Sequence, residues 1–184
     1  SPRITTSDFS ENNKYSDGVI IGVDEVRCVD GEIQVKGPSV MKGYYKMPDE
    51  TANAFTADGF LHTGDLGYIK DNHIYLVGRR KNLIILSNGE NISPEEIENK
   101  FADYMQVKEV VVYGENDKLM AEIYHDETFL GEKDVDEIRN ILAEIVDKVN
   151  MQLNSDRTIY DFRIREKPFE RTSTGKIKRT EFYY

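Results

Sequence analysis

The residues from about Asp134 to Asn150 constrain the fold more than any other part of this chain. Their apolar side chains recur with the 3.6-residue period of an α-helix, which predicts an amphipathic helix with one buried face. After Lys81 the predicted order is strand, helix, strand, strand, helix, strand. That order indicates a compact α+β module whose helices pack on one face of a sheet. The apolar positions of the long helix are Val135, Ile138, Ile141, Leu142, Ile145 and Val149.

The first helix of this module is predicted to begin after Ser93. Pro94 has the fixed φ that suits the first helical position, and Glu96 follows three residues after the serine. This spacing predicts a capping box, in which the two side chains satisfy free backbone N–H groups at the helix start. Ile97, Phe101 and Met105 then recur every four residues, and we expect all three on the buried face of the helix.

The first part of the chain is predicted to form a small antiparallel β subdomain. Residues 25–29 and 32–36 alternate between apolar and polar side chains. Asp30-Gly31 lies between them and favours the positive φ angles of a type I′ hairpin turn. A short helix is expected from Pro48 to about Phe55, with further strands at 60–63 and at 73–77.

Composition excludes several classes of protein. The net charge is −10, and residues 82–156 contain 18 acidic and six basic side chains, so nucleic-acid binding is not expected. The chain lacks both a signal-peptide pattern and the run of about 20 apolar residues that spans a membrane. The single cysteine, Cys28, excludes an internal disulfide and a cysteine-based zinc site. His62, His73 and His125 lack the spacing of metal ligands, so we expect no metal site. A cytoplasmic protein is favoured, with peripheral membrane association left open.

Two polar segments in the middle of the chain could carry chemistry. Asp65 follows Gly64 at a strand end, where a carboxylate can accept two hydrogen bonds from a diol; an ordinary turn explains the same residues. Gly78-Arg79-Arg80-Lys81 places three cations in a row. Such a cluster is costly without an anion, although a solvated linker between two modules fits it as well. A linker of this kind would have to absorb any rotation of the modules.

Two later loops also qualify. Gly89 lies in a polar loop at 87–94, where glycine lets the backbone approach a ligand closely, although an ordinary loop before a helix fits too. The segment 172–179 presents Lys176, whose ammonium could reach a phosphate as a mobile charge, and the alternative is a basic tail. It is not a P-loop, because Glu170 stands where glycine is required and Ile177 where serine or threonine is required.

Taken together, these segments resemble the motifs of the adenylate-forming superfamily, which includes acyl-CoA synthetases, luciferases and peptide-synthetase adenylation domains. The similarity runs from about Gly18 to Arg179. It rests on four segments in the family's order: Gly31-Glu32-Ile33 through Tyr45, Asp58-Gly59-Phe60-Leu61-His62-Thr63-Gly64-Asp65, Gly78-Arg79 through Glu98, and Thr172-Ser173-Thr174-Gly175-Lys176-Ile177-Lys178-Arg179. The loop at 87–92 is most similar to long-chain fatty acyl-CoA synthetases.

The resemblance implies a role for five residues. Asp65 would bind the ribose hydroxyls of ATP or AMP, and Arg79 would hold the ribose and α-phosphate region. Lys81 would be the hinge about which the C-terminal module rotates. Lys176 would stabilise the charge that builds on the α-phosphate, and Gly89 would lie near the tunnel for the pantetheine arm of CoA. The implied reaction joins a fatty acid to AMP with release of pyrophosphate, and the CoA thiol then displaces AMP.

The resemblance also implies that the chain is the C-terminal portion of a longer fatty acid–CoA ligase. The family's phosphate loop and its magnesium carboxylate precede Ser1 in family order, so the missing part would hold most of ATP and Mg²⁺. We therefore expect the isolated chain to be inactive. The expected organisation is a β-rich end of the large N-terminal domain at 1–78, a hinge at 79–82 and a mobile α+β cap domain at 83–184.

Three alternatives remain open from the sequence. The acid could be an aryl acid or another carboxylate in place of a fatty acid. The acceptor could be an acyl carrier protein in place of CoA. The scaffold could also serve as a binding module without catalysis, although the retained Asp65, Arg79 and Lys176 favour an enzyme. Chain length of the acid and oligomeric state leave no trace in these residues.

Overall fold

The computed structural model describes residues 4–6, 16–131, 133–179 and 182. The chain divides into two compact units, Ser1–Lys81 and Asn82–Tyr184. In the described part of the chain, every helix is too short or too polar to cross a membrane.

The first unit is built on an antiparallel sheet of six strands. The strands are β1 (Thr5–Thr6), β2 (Val19–Ile20), β3 (Glu25–Val29), β4 (Glu32–Lys36), β5 (Leu61–Lys70) and β6 (His73–Arg79). Their spatial order is β1-β2-β6-β5-β4-β3. A short helix, α1 (Pro48–Ala54), lies in the connection between β4 and β5.

The predicted hairpin of β3 and β4 is confirmed. Asp30 and Gly31 have φ angles of 49° and 76°, as a type I′ turn requires. On one face of β4, Ile33 and Val35 form a small core with Ile74 of β6. On the opposite face Glu32 and Gln34 are also buried, at 2% and 4% exposure. This strand therefore has a buried polar face where alternation in the sequence predicts a solvated one.

The strand predicted at 60–63 is much longer in the structure. β5 covers ten residues from Leu61 to Lys70 and continues through Gly64, Asp65 and Gly67. Asp71 and Asn72, both at positive φ, turn the chain into β6. Glycines lower the strand propensity of this segment, but pairing with β4 on one side and β6 on the other outweighs that effect.

The second unit combines a three-stranded sheet with a small hairpin. The elements are β7 (Ile84–Ile85), β8 (Asn91–Ile92), α2 (Pro94–Glu98), β9 (Val107–Glu115), β10 (Lys118–His125), α3 (Glu127–Leu130), α4 (Val135–Asn150) and β11 (Ile159–Arg165), with short 3₁₀ helices at 99–103 and 155–157. The sheet is ordered β11-β10-β9, and β7 and β8 form the hairpin. β9 and β10 are antiparallel, whereas β10 and β11 run parallel. Another 3₁₀ helix, at 80–82, joins the two units.

The amphipathic helix α4 supplies one side of this unit's core. Leu142 and Val149 are fully buried against the sheet, together with Ile123 of β10 and Phe162 of β11. The connection from β10 through α4 to the parallel strand β11 is the type of crossover that a helix provides. The predicted α+β class, with a small antiparallel β subdomain followed by an α+β module, is confirmed.

Two predictions for the helix after Ser93 are wrong. Ser93 makes no capping hydrogen bond to the backbone, and its hydroxyl donates to Glu95 Oε2 at 3.1 Å. The capping box occurs at α4 instead, where the Asp134 side chain and Glu137 bond reciprocally to backbone N–H groups. The helix changes to a 3₁₀ turn after Glu98 and ends at Asp103. Met105 therefore lies beyond it and is 68% exposed, while Ile97 and Phe101 are buried.

Candidate functional site

The Thr63-Gly64-Asp65 segment lies in an irregularity of β5. Glu32 of β4 pairs with Leu66 and Gln34 pairs with His62, so two steps along β4 oppose four steps along β5. Gly64 has a φ of 70°, a left-handed conformation that glycine adopts readily. The Thr63 hydroxyl donates to the Ile33 carbonyl at 2.6 Å and accepts from the Asp65 N–H at 3.1 Å. The motif is therefore a bulge inside a strand.

The structure brings Asp65 and Arg79 together. They are cross-strand partners in β5 and β6, and Asp65 Oδ1 lies 2.8 Å from Arg79 Nε. Their side chains are 29% and 43% exposed, so both stay accessible to a ligand. The pair presents carboxylate acceptors beside guanidinium donors, a combination suited to a hydroxylated ligand that also carries an anion.

Glu32 is a buried carboxylate below this bulge that the sequence analysis did not identify as part of a site. Burial raises the pKa of Glu32, but hydrogen bonds from His62, Gln34 and the Gly64 N–H outweigh it and hold the pKa below its ordinary value. The residues next to Glu32 in the sequence do not indicate this role, because the contacts with His62 and Gly64 come from β5, 30 or more residues away along the chain.

The cationic segment 78–81 is divided between two kinds of structure. Arg79 ends β6, and a 3₁₀ turn covers Arg80–Asn82. Lys81 is exposed and is the last residue of the first compact unit. A short turn between two separate units is where a change in a few backbone angles can alter the orientation of one unit.

Gly89 lies at the tip of the β7–β8 hairpin. Its N–H donates to the Leu86 carbonyl at 2.9 Å, and its φ is 81°. A methyl group added at Gly89 would meet no atom within 4 Å, so the space beside this glycine is open. Ser87, on the same loop, donates its backbone N–H to Asp117 Oδ1 at 2.6 Å, which ties the hairpin to the turn between β9 and β10.

Lys176 lies on a tight hairpin formed by residues 171–177. Arg171 and Ile177 form a bridge, and the Gly175 N–H donates to the Thr172 carbonyl at 2.9 Å. The Lys176 N–H donates to the Thr172 hydroxyl at 3.2 Å. The Lys176 side chain is exposed, and within the described residues its ammonium has no hydrogen-bond or ion-pair partner. In the structure this predicted loop is a hydrogen-bonded turn.

Two glutamates attach this hairpin to the body of the second unit. On the N-terminal side, Glu109 accepts the Phe169 N–H at 2.8 Å and pairs with Arg171. On the C-terminal side, Arg179 binds both oxygens of Glu98, with 2.8 Å to Oε1.

Arg179 and Glu98 are only 15% and 11% exposed. Burial raises the pKa of Glu98, and the Arg179 guanidinium and the Val112 N–H offset part of that rise. Bidentate pairs of this kind fix orientation as well as charge. Lys176 thus extends from a turn that is held on both sides.

The described residues do not fit a magnesium site. Across 4–6, 16–131, 133–179 and 182, no three His, Cys, Asp or Glu side chains converge in a way that could hold a metal ion.

Gly89 and Lys176 lie on different hairpins of the second unit, and Asp65 and Arg79 lie in the first. Asp65 and Arg79 are in direct contact within the first unit.

Comparison with known proteins gives consistent matches. Residues 81–184 match the model of the AMP-binding enzyme C-terminal domain. A long-chain-fatty-acid–CoA ligase of Bacillus subtilis is 45% identical over 92 residues, which are 50% of this chain and 16% of that protein. A 2-succinylbenzoate–CoA ligase of Listeria monocytogenes is 36% identical over 176 residues, which are 92% of this chain and 35% of that protein.

A solved structure extends the similarity to the fold of nearly the whole chain. The o-succinylbenzoate CoA synthetase of Bacillus subtilis, in complex with its acyl-adenylate intermediate, superposes with a TM-score of 0.74 at 27% identity. The match covers 95% of this chain and 37% of that structure. This chain thus spans about a sixth to a third of the length of the curated relatives just described.

Proposed function

Since this chain belongs to the AMP-binding enzymes and contains their C-terminal domain, we propose that it is the C-terminal portion of an ATP-dependent acid–CoA ligase. The complete enzyme converts a carboxylate and ATP to an acyl-adenylate and pyrophosphate, and the CoA thiol then displaces AMP. The Mg²⁺ that accompanies ATP is held mainly by polypeptide outside this chain. The observation that carries the proposal is the exposed Lys176 ammonium on a hairpin attached by two Arg–Glu pairs.

Lys176 is the catalytic residue in this proposal. Transfer at a phosphate needs positive charge fixed in position more than it needs covalent chemistry. The Lys176 ammonium meets that requirement, because hydrogen bonds hold the backbone of Lys176 in position before the ligand arrives. The absence of a competing partner among the described residues supports the same role, since no intramolecular carboxylate has to be displaced.

Asp65 and Arg79 bind the nucleotide. The Asp65 carboxylate accepts hydrogen bonds from the ribose hydroxyls, and Arg79 contacts the ribose and α-phosphate region. Their 2.8 Å contact and partial exposure support this assignment, because each side chain orients the other and leaves further atoms free for a ligand.

Lys81 is the hinge, and Gly89 lies near the tunnel for CoA. The position of Lys81 at the end of the first compact unit supports the hinge. The open space and positive φ at Gly89 support close approach of the pantetheine arm. Rotation about Lys81 lets one enzyme bring Lys176 in for adenylation and withdraw it for thioester formation.

A fatty acid is the proposed substrate, on the strength of the loop at 87–92 and of the long-chain ligase of Bacillus subtilis at 45% identity. The 2-succinylbenzoate ligase match favours an aromatic dicarboxylic acid as the second candidate. Pyrophosphate release by the full-length enzyme with hexadecanoate and with 2-succinylbenzoate distinguishes the two. Turnover with the aromatic acid alone would overturn the fatty acid assignment.

Replacement of Lys176 with alanine in the full-length enzyme tests the catalytic assignment. We expect adenylation to slow by at least about 100-fold, because one preorganised charge is lost. Thioester formation from preformed acyl-adenylate should change little. Lys178→Ala is the matched control, since Lys178 is also exposed but pairs with Glu170 at 3.0 Å. Equal losses in both half-reactions would contradict the role of Lys176.

The isolated chain is proposed to be inactive, because the family's phosphate loop is outside it. Pyrophosphate release from ATP and a fatty acid, measured on the purified 184-residue chain, tests this directly. Turnover by the pure chain would show that it holds the phosphate-binding groups itself.

A further inference from the structure

Glu32 occupies an unusual environment for a carboxylate in a strand. It is 2% exposed, and both of its oxygens have partners. Oε1 accepts the Gly64 N–H at 3.1 Å. Oε2 lies 2.8 Å from His62 Nδ1 and 3.4 Å from Gln34 Nε2. A buried carboxylate is costly unless it is satisfied in this way, so these contacts account for its position.

The contact with Gly64 reaches the centre of the bulge. The pairing of Glu32 with Leu66 and of Gln34 with His62 leaves Gly64 without a partner residue in β4. The Glu32 side chain supplies an acceptor for the Gly64 N–H at that gap. Asp65 is the next residue, so the contact with Glu32 restrains the backbone that carries the Asp65 carboxylate.

The same carboxylate also reaches the other side of the candidate site. Arg80 Nη1 lies 3.5 Å from Glu32 Oε2. Arg80 directly follows Arg79, the cross-strand partner of Asp65, and directly precedes Lys81. One buried group therefore contacts a neighbour of each member of the Asp65–Arg79 pair.

A chain of polar contacts extends from Glu32 to the outer strand. Gln34 accepts a hydrogen bond from Arg27 Nε at 2.8 Å, and Arg27 forms a bidentate pair with Asp58 at 2.6 and 3.0 Å. The guanidinium of Arg27 also stacks over Phe60, 3.8 Å from the ring centroid. These contacts hold Gln34, and through it Glu32, in one orientation.

We propose that Glu32 is a positioning residue that sets the geometry of the Asp65–Arg79 pair, through the Gly64 N–H on one side and Arg80 on the other. The inference rests on the proposed function, in which Asp65 accepts hydrogen bonds from the ribose. Glu32 touches neither the nucleotide nor the reacting atoms. Its effect is therefore specific to the part of the ligand that Asp65 contacts.

The test compares ATP with 2′-deoxy-ATP and 3′-deoxy-ATP in the full-length enzyme. In the unmodified enzyme, kcat/KM should fall for at least one deoxy analogue. A hydrogen bond to a charged group typically corresponds to about a tenfold preference or more for ATP over the deoxy analogue. Glu32→Gln should abolish most of this preference by raising the KM for ATP. The KM for the deoxy analogue and kcat should change little.

Three variants make the outcome interpretable. Asp65→Ala removes the acceptor and should abolish the preference for the hydroxyl whether or not Glu32 matters. Glu25→Gln, in the neighbouring strand and exposed, is the matched control and should retain it. Glu32→Asp keeps the charge while shortening the reach to Gly64, and it should lose part of the preference even if Glu32→Gln fails to fold.

The results separate the two levels of the proposal. If Asp65→Ala loses the preference and a folded Glu32 variant retains it in full, the positioning role of Glu32 is wrong and the proposed function stands. If the unmodified enzyme shows no preference between ATP and either deoxy analogue, the assignment of Asp65 to the ribose is itself wrong. A Glu32→Gln enzyme whose kcat/KM falls equally for ATP and for the deoxy analogue would indicate a general structural role. That result would also overturn the inference.

Discussion

Replacing Arg179 with methionine removes the cationic partner of the buried Glu98 carboxylate while keeping most of the side-chain length. Arg179 binds both oxygens of Glu98, and the two side chains are 15% and 11% exposed. Water therefore cannot take the place of the guanidinium. Breaking a buried pair by removing one partner typically costs about 3 to 5 kcal/mol, because the remaining charge is left without compensation.

We expect the loss in the free energy of unfolding to be about 3 kcal/mol at neutral pH, since both groups keep slight exposure and the Val112 N–H still donates to Glu98 at 2.7 Å. Burial already raises the pKa of Glu98 above its ordinary 4.5, and Arg179 partly offsets this. Without Arg179 the pKa rises further. The protonated Glu98 carboxyl stabilises the folded state fully at pH values below its ordinary pKa. This stabilisation is lost as the pH rises through the raised pKa. The penalty of Arg179→Met should therefore be largest at neutral pH and should shrink toward pH 4.5.

Urea unfolding of the chain, followed by far-ultraviolet circular dichroism, measures this penalty because α4 dominates the helical signal of the second unit. Arg163→Met is the matched control. Arg163 binds both oxygens of Glu115 at 3.0 and 2.8 Å, but the side chains are 54% and 36% exposed, so its loss should change stability little. The same penalty at both pH values, or a penalty no larger than that of the control, would refute the reasoning.

Two further predictions concern local backbone structure. Asp134→Ala removes the capping box of α4 and should lower the free energy of unfolding by about 1 kcal/mol in urea titrations, with Asp136→Ala as a control in the same first turn; no difference between the two would contradict the capping role. Gly64→Ala places a methyl group in open space, but its φ of 70° is strained for alanine and should cost about 1 to 2 kcal/mol, measured as a lower Tm. A Tm equal to that of the unmodified chain would indicate that the bulge relaxes.

Local signals in the sequence predict the first hairpin and most of the long helix well. Asp30-Gly31 adopts the positive φ angles that the residue types favour. The buried positions of α4 likewise follow a single period, except that Val135 in its first turn is 72% exposed. In both cases neighbours in the sequence are also the structural determinants, so one sequence is sufficient.

Side-chain contacts explain why the capping prediction at Ser93 is wrong. Ser93 has the spacing of a capping residue, but its hydroxyl donates to Glu95, which also accepts from Asn82. Glu98, to which the sequence assigns no role of its own, is buried with Arg179, 81 residues later in the chain. A partner this distant cannot be inferred from periodicity.

The candidate site likewise contains residues that the sequence identifies and a residue, Glu32, that it does not. Asp65, Arg79 and Lys176 belong to motifs that the resemblance identifies, and their proposed roles come from that resemblance. Glu32 stands in one of those motifs, yet its burial and its contact with Gly64 depend on how β4 and β5 pair. The register of paired strands determines which buried residues contact the motif residues. A single sequence does not reveal that register.

The parallel pairing of β10 with β11 has a consequence for how the chain is made. A ribosome delivers β9 and β10 first, and the whole segment 126–158 must emerge before β11 can dock. Until then β10, which carries the buried residues Leu119, Ala121 and Ile123, has one unpaired edge in the nascent chain. Translational pausing after β10 should therefore favour aggregation, and pausing after β11 should not.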